Sequence, residues 1–241
     1  PAEVLRGDLH LLGNHVPDVA SAFFETMSGF TSTGATIIDD VDSMPHGILF
    51  WRSLTQWIGG IGIVFFTIAI LPAFGVGEVK LFAAESTGPL HDKVHPRLSI
   101  AVRWIGGVYI ALTLLCVIAL LMCGMPLFDA VNYSLCTTAT GGYGTHSSLL
   151  GEYYHSPAIE YVLIFFMFVS GINYTLIYYT ILKGKVKKFF DNMELRTYLI
   201  IVLGASLACA VTLAVEVPGY GVEYAIRQSL FTVISLQTTT G

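Results

Sequence analysis

The chain has 241 residues, of which 54% are hydrophobic and only 12% are charged, and its formal net charge is −5. This apolar content, with a mean hydropathy of +0.69, is atypical of soluble domains and indicates a membrane protein in contact with lipid. The acidic balance argues against nucleic acid as a partner, because proteins that bind nucleic acids favour a clustered basic face.

Four uncharged stretches follow one another along the chain, at 53–77, 104–128, 161–182 and 197–215. Each is long enough to cross the roughly 30 Å of bilayer hydrocarbon as a helix. One such stretch could be a buried helix of a large soluble enzyme, but four would need a larger polar shell than this chain supplies. We therefore predict an all-α, multi-pass membrane protein.

The charged residues predict the orientation of the chain. Nine of the twelve Lys and Arg residues lie between the first and second or between the third and fourth uncharged stretches. By the positive-inside bias these two loops face the cytoplasm. The opposite side carries acidic residues that would concentrate cations there. These are Asp39, Asp40, Asp42, Asp129, Glu152, Glu160, Glu216 and Glu223.

The pattern Thr-x-Thr-Gly occurs three times, and its glycines are 107 and 100 positions apart. Between copies the same order recurs: an apolar span, a basic loop, an apolar span and a short amphipathic segment. So long a period is typical of a duplicated structural unit. The copies are Thr31, Ser32, Thr33 and Gly34; Thr138, Ala139, Thr140 and Gly141; and Thr238, Thr239, Thr240 and Gly241.

The segments before each copy, 17–30, 126–137 and 222–237, are too short or too polar to cross a bilayer. We expect re-entrant half-helices, each followed by a filter strand that lines a pore. Rings of carbonyl and hydroxyl oxygens can replace the hydration shell of a monovalent cation, as in potassium filters. The twelve pattern residues are therefore predicted to bind potassium as the transported substrate, and no cofactor is predicted in this chain.

The predicted organisation consists of repeated units of helix, re-entrant pore loop and helix. In chain order it comprises an outer loop (1–16); the first pore helix, filter strand and following membrane helix (17–77); a cytoplasmic loop (78–103); a second helix, pore loop and helix unit (104–182); a second cytoplasmic loop (183–196); and a third unit truncated at its filter (197–241).

Three runs carry a family resemblance: AFFETMSGFTSTGAT at 22–36, FWRSLTQWIGGIG at 50–62, and TATGGY at 138–143. On these residues the chain resembles the TrkH/KtrB superfamily of potassium transporters, in its TrkH branch. The resemblance implies four potassium-channel-like units around a pseudo-fourfold pore. It further implies a homodimer in the bacterial inner membrane and a cytosolic, nucleotide-binding, TrkA-like regulatory subunit. Since the fourth filter is absent, we expect an internal fragment and assign the function to the parent protein.

Two other function classes compete with a pore. A cation-coupled secondary transporter with broken helices would also contain re-entrant segments and internal repeats. Its repeats are commonly inverted, whereas here each basic loop falls at the same phase of the repeat. An intramembrane enzyme would need a nucleophile with a base, or a metal cluster, and the motifs Gly-x-Ser-x-Gly and His-Glu-x-x-His are absent from the sequence. We expect no enzymatic activity and leave ion coupling open.

Some residues within the predicted membrane segments need a separate interpretation. Arg52 and Arg227 are expected to snorkel or to pair with loop carboxylates. Glycines within the spans are expected to allow close helix packing. These glycines are Gly59, Gly60, Gly62, Gly106, Gly107 and Gly171.

Overall fold

The structure is a computed structural model that describes residues 19–70, 94–148, 154–174, 176, 177, 180, 191–216 and 221–241. Seven helices occur in these ranges, and no strand occurs in them. The prediction of an all-α protein is confirmed. The helices are α1 (Val19–Phe30), α2 (His46–Ile70), α3 (Val94–Met122), α4 (Leu127–Ala139), α5 (Pro157–Ser170), α6 (Met193–Glu216) and α7 (Val222–Gln237).

Helices α3 and α6 are long and apolar enough to cross a membrane, over Arg103–Met122 and Met193–Val215. Their outward faces expose large apolar side chains such as Leu114, Ile118 and Leu203. A soluble protein rarely exposes so continuous an apolar surface, whereas lipid is a compatible neighbour for it. Helix α3 overlaps the uncharged stretch 104–128, and α6 contains the uncharged stretch 197–215.

The helix in the second uncharged stretch ends before the stretch does. Helix α3 stops at Met122, where the N–H of Met125 donates to the carbonyl of Leu120 at 3.2 Å. Gly124 occupies the left-handed region with φ 87°, which a glycine adopts at little cost when a helix ends. Residues 123–126 therefore turn the chain into α4 instead of continuing the span.

The third uncharged stretch is not one continuous helix, which corrects the prediction for 161–182. Helix α5 has 14 residues, a length of about 21 Å that is shorter than the hydrocarbon core. It ends at Gly171, and helical backbone resumes at Tyr174. A Cβ built on Gly171 would lie 2.7 Å from Thr238 Cγ2 and 2.7 Å from Tyr198 Oη. The helix thus breaks where it contacts Tyr198 of α6 and Thr238, the residue after α7.

The three short helices agree closely with the predicted half-helices. Helices α1, α4 and α7 contain 12, 13 and 16 residues, which correspond to lengths of about 18, 20 and 24 Å. Helix α4 packs against α2, α3 and α5, while α7 packs against α5 and α6. Helices α4 and α7 are therefore packed between other helices, whereas α1 packs against α2.

The main core lies between α3, α4 and α5. Its fully buried members include Cys116, Leu120 and Ala130, and Ile234 of α7 joins them. Cys116 and Cys136 are buried free thiols, as expected for small apolar side chains that fill a core. This core fixes the position of α4 and therefore of the chain that leaves its carboxyl end.

Helical backbone extends into both predicted cytoplasmic loops. Helix α3 begins at Val94, inside the predicted loop 78–103, and α6 begins at Met193, inside the predicted loop 183–196. Most of the basic residues on which the orientation depends lie outside the described residues. Arg196 is described and pairs with Asp191 at 2.9 Å on an exposed surface.

Candidate functional site

The chain leaving each short helix forms an end segment, and the three are residues 31–34, 139–142 and 238–241. The first begins with a helix cap of Schellman type, in which the N–H of Ser32 donates to Gly29 O at 2.9 Å and that of Thr33 to Ser28 O at 3.0 Å. Ser32 is in the left-handed region with φ 53°. This reversal turns the backbone sharply away from the helix axis.

The second and third end segments repeat this cap. Thr140 and Thr239 have φ 52° and 58°. Their N–H groups donate to the carbonyls three residues earlier at 3.2 Å, and the next N–H groups, of Gly141 and Thr240, donate five residues back at 2.9 Å. Three non-glycine residues thus adopt a left-handed conformation that normally costs about 1–2 kcal/mol, each at the same point of its unit.

The caps define a register that differs from the sequence alignment in the second unit. The glycine two residues after each capping residue also has positive φ: 76° at Gly34, 81° at Gly142 and 86° at Gly241. Gly142, and not Gly141, is therefore structurally equivalent to Gly34 and Gly241. The second end segment, 139–142, therefore lies one residue later than the Thr-x-Thr-Gly copy at 138–141, and the assignment of that copy as a filter stays a prediction.

The end segments lie side by side in chain order. A Cβ on Gly34 would collide with the carbonyl oxygen of Gly141, and a Cβ on Gly142 would collide with the carbonyl oxygen of Thr240. Only glycine permits so close an approach between neighbouring backbones. The structure thus brings the three predicted segments together, with the second between the other two.

The predicted threonines fall into two environments. The Oγ1 atoms of Thr31 and Thr33 are 2.8 Å apart, and those of Thr238 and Thr240 are also 2.8 Å apart. The hydroxyls of Thr31, Thr138 and Thr238 each donate to the carbonyl four residues earlier, at 2.8, 2.9 and 2.8 Å. Thr138 is buried and takes no part in a threonine pair among the described residues. In the register set by the caps Ala139 and Gly141 occupy the paired positions, so the second end segment has no hydroxyl pair.

A buried ion pair supports the first end segment. Arg52 of α2 contacts Glu25 of α1, with Nη2 at 2.6 Å and Nε at 3.0 Å from Glu25 Oε1. Both side chains are at most 4% exposed. Glu25 also accepts from Thr36 Oγ1 at 2.9 Å and from the N–H of Ile37 at 3.2 Å. Several hydrogen bonds to the charged form offset the cost of burying it.

Tyr143 connects this ion pair to the second end segment. Its hydroxyl donates to the backbone carbonyl of Glu25 at 2.9 Å. The guanidinium of Arg52 lies over its ring, 4.1 Å from the centroid, in a cation–π arrangement. Arg52 therefore pairs with a carboxylate as expected, but the partner belongs to the half-helix and not to a loop.

Gln56 of α2 joins the first two end segments directly. Its side-chain Nε2 donates to Gly141 O at 2.7 Å, and its Oε1 accepts from the N–H of Tyr143 at 3.3 Å. Its backbone carbonyl accepts from Ser32 Oγ at 3.1 Å. Sequence analysis did not single out Gln56, because its partners lie 85 and 87 residues away along the chain.

A second buried cation anchors the third unit. Arg227 of α7 lies 2.5 Å from Glu160 of α5 and 2.9 Å from Glu223 of its own helix. Gln228 adds a donor to Glu160 at 3.0 Å. The arginine is paired with carboxylates as expected, but both belong to helices and not to a loop, and Glu160 ties α7 to α5.

On the side of the predicted outer loops, the chain after the first end segment is hydrogen-bonded to the chain after the second. His146 Nδ1 lies 3.0 Å from Asp42 Oδ1, and the N–H of Ser147 donates to Asp42 Oδ2 at 3.1 Å. The side-chain hydrogen bond of His146, followed by that of the Ser147 backbone, lowers the pKa of Asp42 from its usual value. His146 Nε2 is also 3.5 Å from Asp129 Oδ2.

Several of the acidic residues predicted to concentrate cations on the outer side have structural partners. Asp129 accepts from Thr145 Oγ1 at 2.7 Å and from the Tyr154 hydroxyl at 2.6 Å, while Asp42 and Glu160 have the partners given above. With Glu223, which pairs with Arg227, four of the predicted cation-attracting carboxylates thus hold loops and helices together. Glu152 lies outside the described residues.

The glycines predicted to pack closely do so at four of six positions. Cβ atoms on Gly59, Gly60, Gly106 and Gly171 would lie within 3.2 Å of a neighbour, whereas Gly62 and Gly107 face open space. Gly60 lies against Ala139 and Gly171 against Thr238. Ala139 and Thr238 are equivalent in the register set by the caps. Gly60, in the helix after the first end segment, and Gly171, at the end of the helix after the second, are therefore equivalent as well.

The TrkH family, described as "Cation transport protein", has a family model that matches residues 5–241. The chain is 39% identical over 225 residues to the Trk system potassium uptake protein TrkH of Salmonella typhimurium, covering 92% of this chain and 46% of that protein. It is 36% identical over 221 residues to the Trk system potassium uptake protein TrkG of Escherichia coli, covering 91% and 45%.

The crystal structure of the potassium transporter TrkH from Vibrio parahaemolyticus superposes with a TM-score of 0.81 at 34% identity, over 93% of this chain and 45% of that one. The chain spans about half the length of the curated relatives it matches. These relatives are named as transport proteins, in agreement with the expectation of a transporter and not an enzyme. From the family match across almost the whole sequence and the shared helical fold, the chain belongs to the TrkH family of cation transport proteins.

Proposed function

We propose that this chain forms part of a potassium uptake protein and that potassium passes along the three end segments. The relatives named above are potassium uptake proteins. The observation that carries the proposal is that three separate helices end in the same left-handed cap, and that Gly34 and Gly142 each lie against a backbone carbonyl of the next end segment. Three backbone segments with the same conformation, adjacent to one another, could supply carbonyl oxygens to a ring of ligands.

The chemistry of the end segments favours a weakly hydrated monovalent cation. Residues 31–34, 139–142 and 238–241 carry no formal charge, so their ligands would be carbonyl and hydroxyl oxygens. Each segment follows the carboxyl end of a helix, where the macrodipole places about half a negative charge. Such a field attracts a cation without the tight binding that a carboxylate would give.

The pore is proposed to be completed by residues outside this chain. Thr31, Thr33, Thr239 and Gly241 are exposed, so the first and third end segments keep surface that a further unit can contact. A fourth unit at that place would close a pseudo-fourfold pore. For the whole protein we further propose a homodimer in the bacterial inner membrane, surrounded by lipid and regulated by a TrkA-like nucleotide-binding subunit.

One observation keeps a cation-coupled secondary transporter as the second candidate. Helix α5 is broken at Gly171, next to the third end segment, and broken helices are typical of such transporters. The two candidates differ in the ion gradients that drive transport. A pore lets potassium follow its own gradient in sodium-free buffer at constant pH, whereas a coupled transporter needs the gradient of a second ion.

The proposal is tested by potassium and sodium uptake in cells that lack other potassium uptake systems. The full-length protein that contains this chain is compared with Gly141→Ser, in which the new side chain would collide with the Gln56 amide. We expect the substitution to admit sodium or to abolish potassium uptake at an unchanged membrane level. Gly204→Ser, at an α6 position facing open space, is the matched control and retains wild-type uptake.

If Gly141→Ser transports potassium with unchanged rate and selectivity, the end segments are ordinary turns and the proposed function fails.

A further inference from the structure

We infer that Gln56 is a positioning residue for ion selectivity, whose amide fixes the Gly141 carbonyl between the first and second end segments. This inference rests on the proposed potassium pore. It assigns to one side chain of α2 the control of how closely two segments of the filter approach each other.

The burial of Gln56 shows that its amide is directed by the protein and not by solvent. Its exposed fraction is 0%, and a buried amide costs free energy unless its polar atoms are paired. Both atoms are paired, and each bonds to backbone of the second end segment or of the residue that follows it. The amide therefore fixes the backbone on both sides of Gly142.

The carbonyl held by Gln56 is the one at the contact between segments. Gly141 O lies where a Cβ of Gly34 would be, so it marks the closest approach of the first and second end segments. A carbonyl oxygen has two acceptor sites, and the 2.7 Å bond from Gln56 occupies one of them. The bond restricts the direction of the carbonyl and leaves its second acceptor site available.

Ser32 completes the connection from the other side. Its hydroxyl donates to the backbone carbonyl of Gln56 at 3.1 Å, and Ser32 is the left-handed capping residue of the first end segment. One residue of α2 thus holds the cap of one segment and a carbonyl of the next. Loss of the Gln56 side-chain amide would release the Gly141 carbonyl, while the bond from Ser32 to the Gln56 backbone remains.

The second unit has no glutamine at the position that corresponds to Gln56. Gly60 and Gly171 are equivalent, so the residue four positions before each, Gln56 or Met167, occupies the same place on its helix. A methionine thioether cannot donate a hydrogen bond. The contact between the second and third end segments, at Gly142 and Thr240, is therefore made without an amide from the preceding helix.

This asymmetry predicts how selectivity depends on Gln56. Discrimination between potassium and sodium depends on the spacing of the oxygen ligands or on their number and field strength. A carbonyl that can reorient would adapt to the smaller sodium ion, whereas a fixed one cannot. Loss of the Gln56 donor is therefore expected to admit sodium while potassium still passes.

The test measures potassium and sodium fluxes into proteoliposomes that contain the full-length protein. Gln56→Met introduces the residue that the second unit already carries and preserves side-chain length. We expect the ratio of potassium to sodium flux to fall about fivefold to tenfold, in line with the loss of one buried hydrogen bond. Gln56→Glu, which keeps the acceptor for Tyr143 but loses the donor to Gly141, is expected to lower the ratio as well.

The control is Thr113→Val, which removes the 3.0 Å hydrogen bond from the adjacent Trp57 indole. That bond joins α2 to α3 instead of to an end segment, so the flux ratio should stay at the wild-type value. If Gln56→Met does not reach the membrane, Gln56→Glu is judged by the same criteria.

Two outcomes would overturn the inference: a wild-type flux ratio in the Gln56 variant, or an equal fall in Thr113→Val, which would mean that any packing defect near α2 has the same effect. Failure of the proposed function gives a different result, because the wild-type protein itself would then show no preference for potassium.

Discussion

At Glu25 and Arg52 two opposite charges are buried beneath the first end segment, and each depends on the other. Neither side chain is more than 4% exposed, so removal of one partner leaves an uncompensated charge in the protein interior. Such a loss typically costs about 3–5 kcal/mol, whereas replacement of the whole pair by apolar residues is often tolerated.

We therefore predict that Arg52→Met and Glu25→Gln each destabilise the protein strongly, and that the double variant recovers part of the loss. Thermal unfolding of the purified protein in detergent measures this. The exposed pair Arg196 and Asp191, 60% and 55% exposed, is the control, and Arg196→Ala should cost at most about 1 kcal/mol. Additive losses in the double variant would show that the two charges do not stabilise each other.

Residue identities alone could not reveal these partners. Glu25 was part of a recognised run, but its contact with Arg52 spans 27 positions, and the bond from Gln56 to Gly141 spans 85. The register of the second end segment was also ambiguous, because Gly141 and Gly142 are adjacent and either can be matched to Gly34 by letter. Only the helix cap, with its positive φ at Thr140, decides between them.

At the scale of elements, the three short helices were well predicted. The expected ranges 17–30, 126–137 and 222–237 became Val19–Phe30, Leu127–Ala139 and Val222–Gln237, because prolines or glycines bound each segment and the apolar stretches beside them are distinct. The break in α5 was not predicted. Residues 161–182 are uniformly uncharged, and the cause of the break lies in α6 and α7, which are distant in sequence.

The α5 break makes Gly171 sensitive to substitution. Gly171→Ala would place a methyl group 2.7 Å from both Thr238 and Tyr198, and overpacking of this kind typically costs about 1–3 kcal/mol. We expect a lower temperature of unfolding in detergent. Gly204→Ala, inside α6 and facing open space, should be neutral or slightly stabilising, because alanine favours a helix. Equal stability of Gly171→Ala and the wild type would mean that α5 does not pack tightly there.

The whole molecule combines a repeated fold with a backbone geometry that its three units share. The family and the all-α architecture could be predicted from composition, repeats and motifs. The mutual arrangement of the end segments could not, since it depends on three caps brought together by the packing of α4 against α2, α3 and α5. The central claim is that Gly34, Gly142 and Gly241 are equivalent positions of one potassium pore.

The measurement that tests this claim most directly is the potassium to sodium flux ratio of Gly142→Ala in proteoliposomes, with Gly62→Ala as the control. Gly142 has φ 81° and its Cβ would collide with Thr240 O, whereas a Cβ on Gly62 meets open space. Strain of about 1–2 kcal/mol, added to this collision, should lower the ratio or the potassium flux at least tenfold. Wild-type flux and selectivity in Gly142→Ala would contradict the account.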